Sequence, residues 1–324
     1  MAENRGPEGG FYVPMHLPFF ETDEIAALKE KTFSQNIAQI LNLFFGTKLD
    51  GRDIELTIGR YPIKTVALNG KTAVIKAWNN PLCRFERLVS GLEKAIRQSD
   101  SIPEKASDWM TIASRIAVLF GVFGLLYREQ RHCRIDISLP SGDMSALMAA
   151  WYAKRMGLPI GTIICCCNEN NSLWNFFHKG EIRTDLVAVR THTPSCDYTV
   201  PTDLERLIFE IGGHEEVLRF NEVSCKGGTY TVSEDLLAPV AETLHICVVS
   251  GKRMASTIPN LYKTTGFIAD PYTALAYSGL TDYRAVTGSG HQALIISEES
   301  PLFSLDFISQ CMNLTPSELK IRLE

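Results

Sequence analysis

LPSGDMSALMAAWYAKRMGLPIGTIICCCNENNSLWNFFHKG, residues 139–180, is the stretch that decides the fold. It follows residues 135–139 (IDISL), which alternate and are β-branched, so a strand runs into it. Residues 140–142 read as a turn, and residues 145–156 repeat apolar side chains at helical spacing. Residues 161–166 then form a second strand. A strand–helix–strand order of this kind predicts a parallel α/β sheet. The turn carries Ser141 and Gly142 just ahead of a helix N-terminus, an arrangement that presents backbone N–H groups to a phosphate. The stretch ends in an Asn-rich loop, residues 168–171.

The whole chain suits such a fold. Its 324 residues are enough for one large α/β domain or two lobes. A net charge of −5 leaves no electrostatic footprint for nucleic acid or an anionic membrane. The basic run at residues 128–134 (REQRHCR) reads as a solvated helix end. Residues 113–127 (ASRIAVLFGVFGLLY) form the most apolar segment. They fall short of the ~20 residues that span a bilayer, and with Arg115 at their start they predict a buried core helix. The nine cysteines show no metal-ligand spacing. Cys165, Cys166 and Cys167 are consecutive on a strand and so point to alternate faces, as small buried hydrophobes. With no signal peptide read at the N-terminus, a reducing cytoplasm is the expected setting.

Working outward, residues 11–20 are extended, held so by two prolines. Residues 22–45 give two helical stretches and residues 50–59 a short helix. TVAL and TAVIKAW, joined by Asn69-Gly70, predict a hairpin. Residues 81–99 are helical, and residues 100–108 form a polar linker. Helices are expected over 201–211 and 233–243, with a strand over 244–249. Residues 270–279 form a helix capped by Asp270 with Pro271 at its first position. Residues 284–287 read as a short strand ending in the turn 288–291 (GSGH). Residues 304–324 hold one or two helices.

Several blocks, in order, carry a family likeness. Residues 9–14 (GGFYVP) resemble the GGLYVP of threonine synthases, and residues 139–143 resemble their VPSGNFG turn. Residues 153–160 (AKRMGLPI) are close to AKKMGLPI, and residues 168–180 to NEND…FFHTG. Residues 195–209, 266–277 and 288–291 resemble the family's SPxMD…NxERLLF, DPHTAVAY and GTAH segments. The resemblance implies an enzyme fold that uses pyridoxal phosphate (PLP), of the fold-type-II, tryptophan synthase β-like kind. It implies a parallel twisted sheet with helices on both faces as a large α/β domain over 101–324. Residues 1–100 would be a helical and hairpin region with the remnant of a reduced small PLP domain. It also implies cofactor contacts at Ser141, Gly142, Asp143, Asn168, Ser289 and His291, with Ser289 bonding the pyridine nitrogen. As polar residues of a turn, Ser289 and His291 have a local reading as well.

The departures weigh as much. The family's cofactor lysine lies in a segment like FHGPTLAFKD; aligned on Pro81 and Phe85, the lysine position here holds Glu86. Arg84 and Arg87 flank it, and a guanidinium does not supply the neutral primary amine a Schiff base needs. Lys76, on the second strand of the hairpin, is a displaced alternative. A Gly/Ser/Thr-rich turn like TSGDTG is missing, and with it one subdomain on the order of 100 residues. In the anion turn, Asn has become Asp143. A carboxylate ~4 Å from a phosphate charge costs about 1 kcal/mol in water and about 4 at an effective dielectric of 20; Asp143 also reads as a helix cap. PLP is thus implied by the resemblance, with these changes against it.

Three functions follow from these residues. The first, favoured by the departures, is a threonine synthase homologue that has lost PLP chemistry and serves as scaffold, regulator or binding protein. The second is a PLP-dependent threonine synthase-type lyase, converting O-phosphohomoserine to threonine and phosphate, with a remodelled site. The third is a module that binds a small anionic metabolite. A face uncovered by the lost subdomain predicts a homo-oligomer or a heteromeric partner.

Overall fold

A computed structural model describes residues 10–58, 63–78, 85–98, 107–128, 134–142 and 144–323. Residues 100–106 of the expected linker, Asp143, and the Pro81 and Arg84 positions lie outside the described residues, while residues 107–108 already open a helix. In chain order the elements are α1 (Thr22–Ala26), α2 (Phe33–Phe45), α3 (Gly51–Ile58), β1 (Lys64–Asn69), β2 (Thr72–Lys76), α4 (Phe85–Arg97) and α5 (Ser107–Arg128). Next come β3 (Ile135–Pro140), α6 (Ser145–Arg155), β4 (Ile160–Cys167), α7 (Ser172–Lys179), β5 (Glu181–Arg183), α8 (Leu204–Lys226) and β6 (Thr229–Thr231). The chain continues through α9 (Glu234–Ala241), β7 (Leu244–Val248), α10 (Gly251–Thr265), α11 (Pro271–Thr287), β8 (Gln292–Ser297), α12 (Leu305–Met312) and α13 (Pro316–Leu323).

Six strands form one sheet in the order β1-β2-β8-β3-β4-β7, parallel throughout except for the edge strand β1. The predicted hairpin is therefore not an appendage. Through β2 it pairs with β8 from Thr72↔Ala293 to Lys76↔Ser297. Both faces are covered, so β3 and β4 are buried almost throughout, and the alternation of IDISL places the polar Asp136 and Ser138 inside as well. Ile137, Leu139, Cys165 and Cys167 face a core shared with α2, α5 and α6. Val74, Ile164, Cys166 and Ile295 face the layer of α10 and α11. The three cysteines split between the faces as their spacing predicts, and all three are buried.

The apolar segment is the core of α5. It is long and apolar enough to cross a membrane by composition, but 83% of that window is buried inside the protein.

One strand assignment is corrected. Residues 284–287 are the last turn of α11, not a strand. Gly288 ends that helix in the left-handed region (φ 69°), its N–H bonding the Arg284 carbonyl at 2.9 Å. The strand is β8, after the GSGH turn. Helix α8 also runs beyond residue 211, past a kink at Gly213 (φ 73°, ψ −165°). The small antiparallel pair β5–β6 lies outside the main sheet.

Candidate functional site

Parallel α/β sheets place their ligand crevice beyond the carboxyl ends of the strands, and here those ends carry the polar side chains. At the end of β3, the Ser141 N–H donates to the Cys166 carbonyl (2.9 Å), fixing the turn to β4. Gly142 adopts φ 46°, and its N–H donates to Cys196 Sγ at 3.3 Å. Met144, buried and also left-handed (φ 71°), donates its N–H to the Ser141 carbonyl at 3.0 Å. It occupies the N-cap position of α6 and offers no side-chain cap. Three N–H groups of this turn are thus already engaged. Ser141 Oγ lies near Cys167, Cys196 and Tyr198, yet neither it nor the Tyr198 hydroxyl has a hydrogen-bond partner among the described residues. Burial pushes the thiols of Cys167 and Cys196 up, so both stay neutral.

Asn168, at the end of β4, is spent on structure. Its amide donates to Thr191 Oγ1 (2.9 Å), Thr193 Oγ1 (3.0 Å) and Asp197 Oδ1 (2.7 Å), and its carbonyl accepts from the Asn170 N–H at 2.9 Å. Asn170 in turn clasps Val189 through both its amide and its carbonyl. The Asn-rich loop therefore fastens the crossing segment 189–197 over the strand ends.

Ser289 and His291 are not in the crevice. They precede β8, at the amino end of the sheet, where Ser289 Oγ and His291 Nδ1 each lie 3.4 Å from the Asp136 carboxylate. Since β3 and β8 are parallel from Ile135↔Gln292, a six-residue strand (about 20 Å) separates them from Ser141. The hydroxyl at the crevice end of β8 is Ser297, which sequence reasoning missed. It accepts from Trp78 Nε1 at 3.2 Å and donates to the buried Asp270 at 3.0 Å. Beside it, Glu298 takes two hydrogen bonds from Arg115 (2.5 and 3.2 Å), and its carbonyl accepts the Phe85 N–H at 2.9 Å. The signal for that pair was present: a guanidinium in an apolar helix needs a counter-charge. Glu86 follows Phe85 in the first turn of α4 and is exposed.

Lys76 ends β2 in register with Ser297. Its ammonium lies 4.0 Å from the centre of the Trp78 ring, and burial, then the charge of Lys64, lowers its pKa. Between Phe85, Arg115, Leu139, Pro140, Ala146 and Glu298 lies an apolar slot of about 30 Å³, room for about two waters. A larger cleft of about 320 Å³ opens between the ends of β4 and β7.

Residues 3–60 match the family model for the threonine synthase N terminus. The threonine synthase of Pseudomonas aeruginosa is 25% identical over 179 residues, covering 55% of this chain and 38% of that protein. In sequence the chain is thus similar to threonine synthases over about half of its length. The human threonine synthase-like 1 is 29% identical over 147 residues, covering 44% of this chain and 20% of that protein. The matched part thus spans well under half the length of these relatives. Two solved structures share the fold: PLP-bound threonine synthase from Brucella melitensis (TM-score 0.82, 17% identity, 99% of this chain and 90% of that one) and the yeast enzyme (0.79, 16%, 99% and 89%).

Proposed function

We propose that this threonine synthase homologue has given up PLP chemistry and is retained as a scaffold, regulator or partner subunit. The observation that carries the reading is Glu86, an exposed carboxylate in the first turn of α4 at the position where the family resemblance places the cofactor lysine. PLP supplies an electron sink for carbanions once a lysine has presented it, and a carboxylate cannot hold it as a Schiff base. The rest of the crevice agrees. The anion turn has engaged its Gly142 N–H with a thiol, and the slot beside it has closed onto the Arg115–Glu298 pair. The residues described do not fit a lysine-linked PLP at that position. Exposed Leu43 and Leu56 on α2 and α3 suit a partner-bound role, for which light scattering should give more than a monomer at micromolar concentration.

Lys76 favours a second reading, a remodelled PLP-dependent lyase of the threonine synthase type. Its amine is half-buried at a strand end and its pKa is lowered, as a Schiff-base lysine requires. One experiment separates the two. The protein is mixed with PLP, passed through gel filtration, and its absorbance recorded before and after borohydride, with peptide mapping of any adduct. The leading reading expects a colourless protein. A chromophore that co-elutes and is fixed by borohydride on Lys76 would establish the second.

A further inference from the structure

The cleft between β4, β7 and the crossing segment touches the site already described only through Asn168. Its floor is apolar: Val249, Met254 and Leu275 are each no more than 2% exposed. On one side stands Glu169. The first N–H of α10, from Gly251, holds its Oε1 at 2.6 Å, which orients the carboxylate and leaves Oε2 without a partner among the described residues. Arg190 also lines the cleft; it is exposed, and its guanidinium has no hydrogen bond or ion pair among the described residues. Its backbone, by contrast, is pinned on both flanks. Val189 exchanges hydrogen bonds with Asn170 at 2.7 and 2.8 Å, and the Thr191 N–H donates to Asp197 at 2.7 Å. One cleft is thus lined by a carboxylate that a backbone N–H orients and by a guanidinium carried on a fixed backbone, both reachable from solvent.

We propose that this cleft binds a free α-amino acid with an aliphatic side chain. Glu169 receives the ammonium, Arg190 the carboxylate, and the Val249–Met254–Leu275 floor the side chain. Other ligand classes leave one of these groups opposed or idle. A phosphate monoester would gain Arg190 but set its charge against Glu169, and a simple amine would leave Arg190 unused. A divalent cation would find one carboxylate where oxygen cages use several. The volume, about 320 Å³, sits at the small end of ligand pockets.

Isothermal titration calorimetry of the full chain with L-leucine and L-methionine tests the assignment, followed by the des-amino and des-carboxy analogues of whichever binds. The expected result is saturable one-to-one binding, with each analogue weaker by about tenfold or more. Arg190→Gln and Glu169→Gln should each weaken the intact amino acid about tenfold. Glu169→Gln keeps an acceptor for the Gly251 N–H, so its circular dichroism and melting temperature without ligand should match the parent. No saturation by either amino acid, analogues that bind as well as the parent, or variants that bind unchanged would each overturn the assignment. The readout involves no PLP, so it stands or falls apart from the loss of cofactor chemistry.

Discussion

Asp270 shows how much one residue at the strand ends is asked to do. It caps α11 by accepting from the Tyr272 and Thr273 N–H groups at 2.9 and 3.1 Å, and it also takes the hydroxyls of Thr273 and Ser297. Those donors favour the carboxylate, but full burial outweighs them and raises its pKa above the ordinary 3.8. A carboxyl with a raised folded pKa binds its proton more tightly in the native state. It therefore adds stability as pH falls from the raised value towards 3.8, and loses that contribution as pH rises. Asp270→Asn, which keeps a cap acceptor, should remove this dependence. Urea midpoints of the two proteins measured from pH 7 to pH 4 should diverge in favour of the parent on the acid side; parallel curves would refute the claim. Asp270 and Pro271 were legible as a cap and first helical residue because cap chemistry is local. Ser297 was not, because its meaning depends on which end of β8 it occupies. Ser289 and His291, named by the resemblance, lie at the amino end of the same strand.

At the scale of elements, the pair α2–α5 explains why glycines interrupt the most apolar helix. A Cβ on Gly121 would lie 2.6 Å from the Phe33 ring. One on Gly124 would lie 2.4 Å from Asn36 Nδ2 and 2.9 Å from the Leu28 carbonyl oxygen. Asn36 cannot swing aside without releasing the hydrogen bond it makes to that carbonyl at 2.9 Å. Gly124→Ala gains about 1 kcal/mol of helix propensity, whereas overpacking a core contact costs about 1–3. The obstacle here is backbone, so the net effect should be destabilising, by about 1–2 kcal/mol in urea unfolding. A stabilised variant would show that α2 is free to retreat. The helix itself was readable from hydrophobic run length. Its close approach to α2 was not, since nothing in the spacing of Gly121 and Gly124 names Phe33 or Asn36 as neighbours. The same limit explains the misplaced strand. Residues 284–287 have β-like composition, but Gly288 supplies a left-handed helix stop, and the run ALII that follows fills the sheet.

Over the whole molecule, sequence blocks far apart converge. The N-terminal Gly10–Tyr12 segment docks on the start of α8, where Glu205 Oε1 accepts the Phe11 N–H at 3.0 Å and Arg206 Nε donates to the Tyr12 carbonyl at 3.1 Å. Arg206 also pairs with Asp203, both side chains no more than 7% exposed, and its guanidinium covers the Phe11 ring. Phe20, Ile37 and Leu41 near the N-terminus share one buried cluster with Ile137 and Leu294, and β2 is hydrogen-bonded into the main sheet. Contacts of this kind tie residues before and after position 100 into one buried cluster and one sheet. The chain's unfolding should therefore be a single transition, with tryptophan fluorescence and far-ultraviolet circular dichroism giving the same urea midpoint. Arg206→Ala strands the buried Asp203 carboxylate and should cost about 3–5 kcal/mol. Because the lesion also loosens the docking of the first residues onto α8, it discriminates between two ways of being assembled. If the molecule is one cooperative unit, both probes shift together and remain coincident. If the first hundred residues are a separable layer, the circular dichroism midpoint falls ahead of the fluorescence midpoint and the curves part.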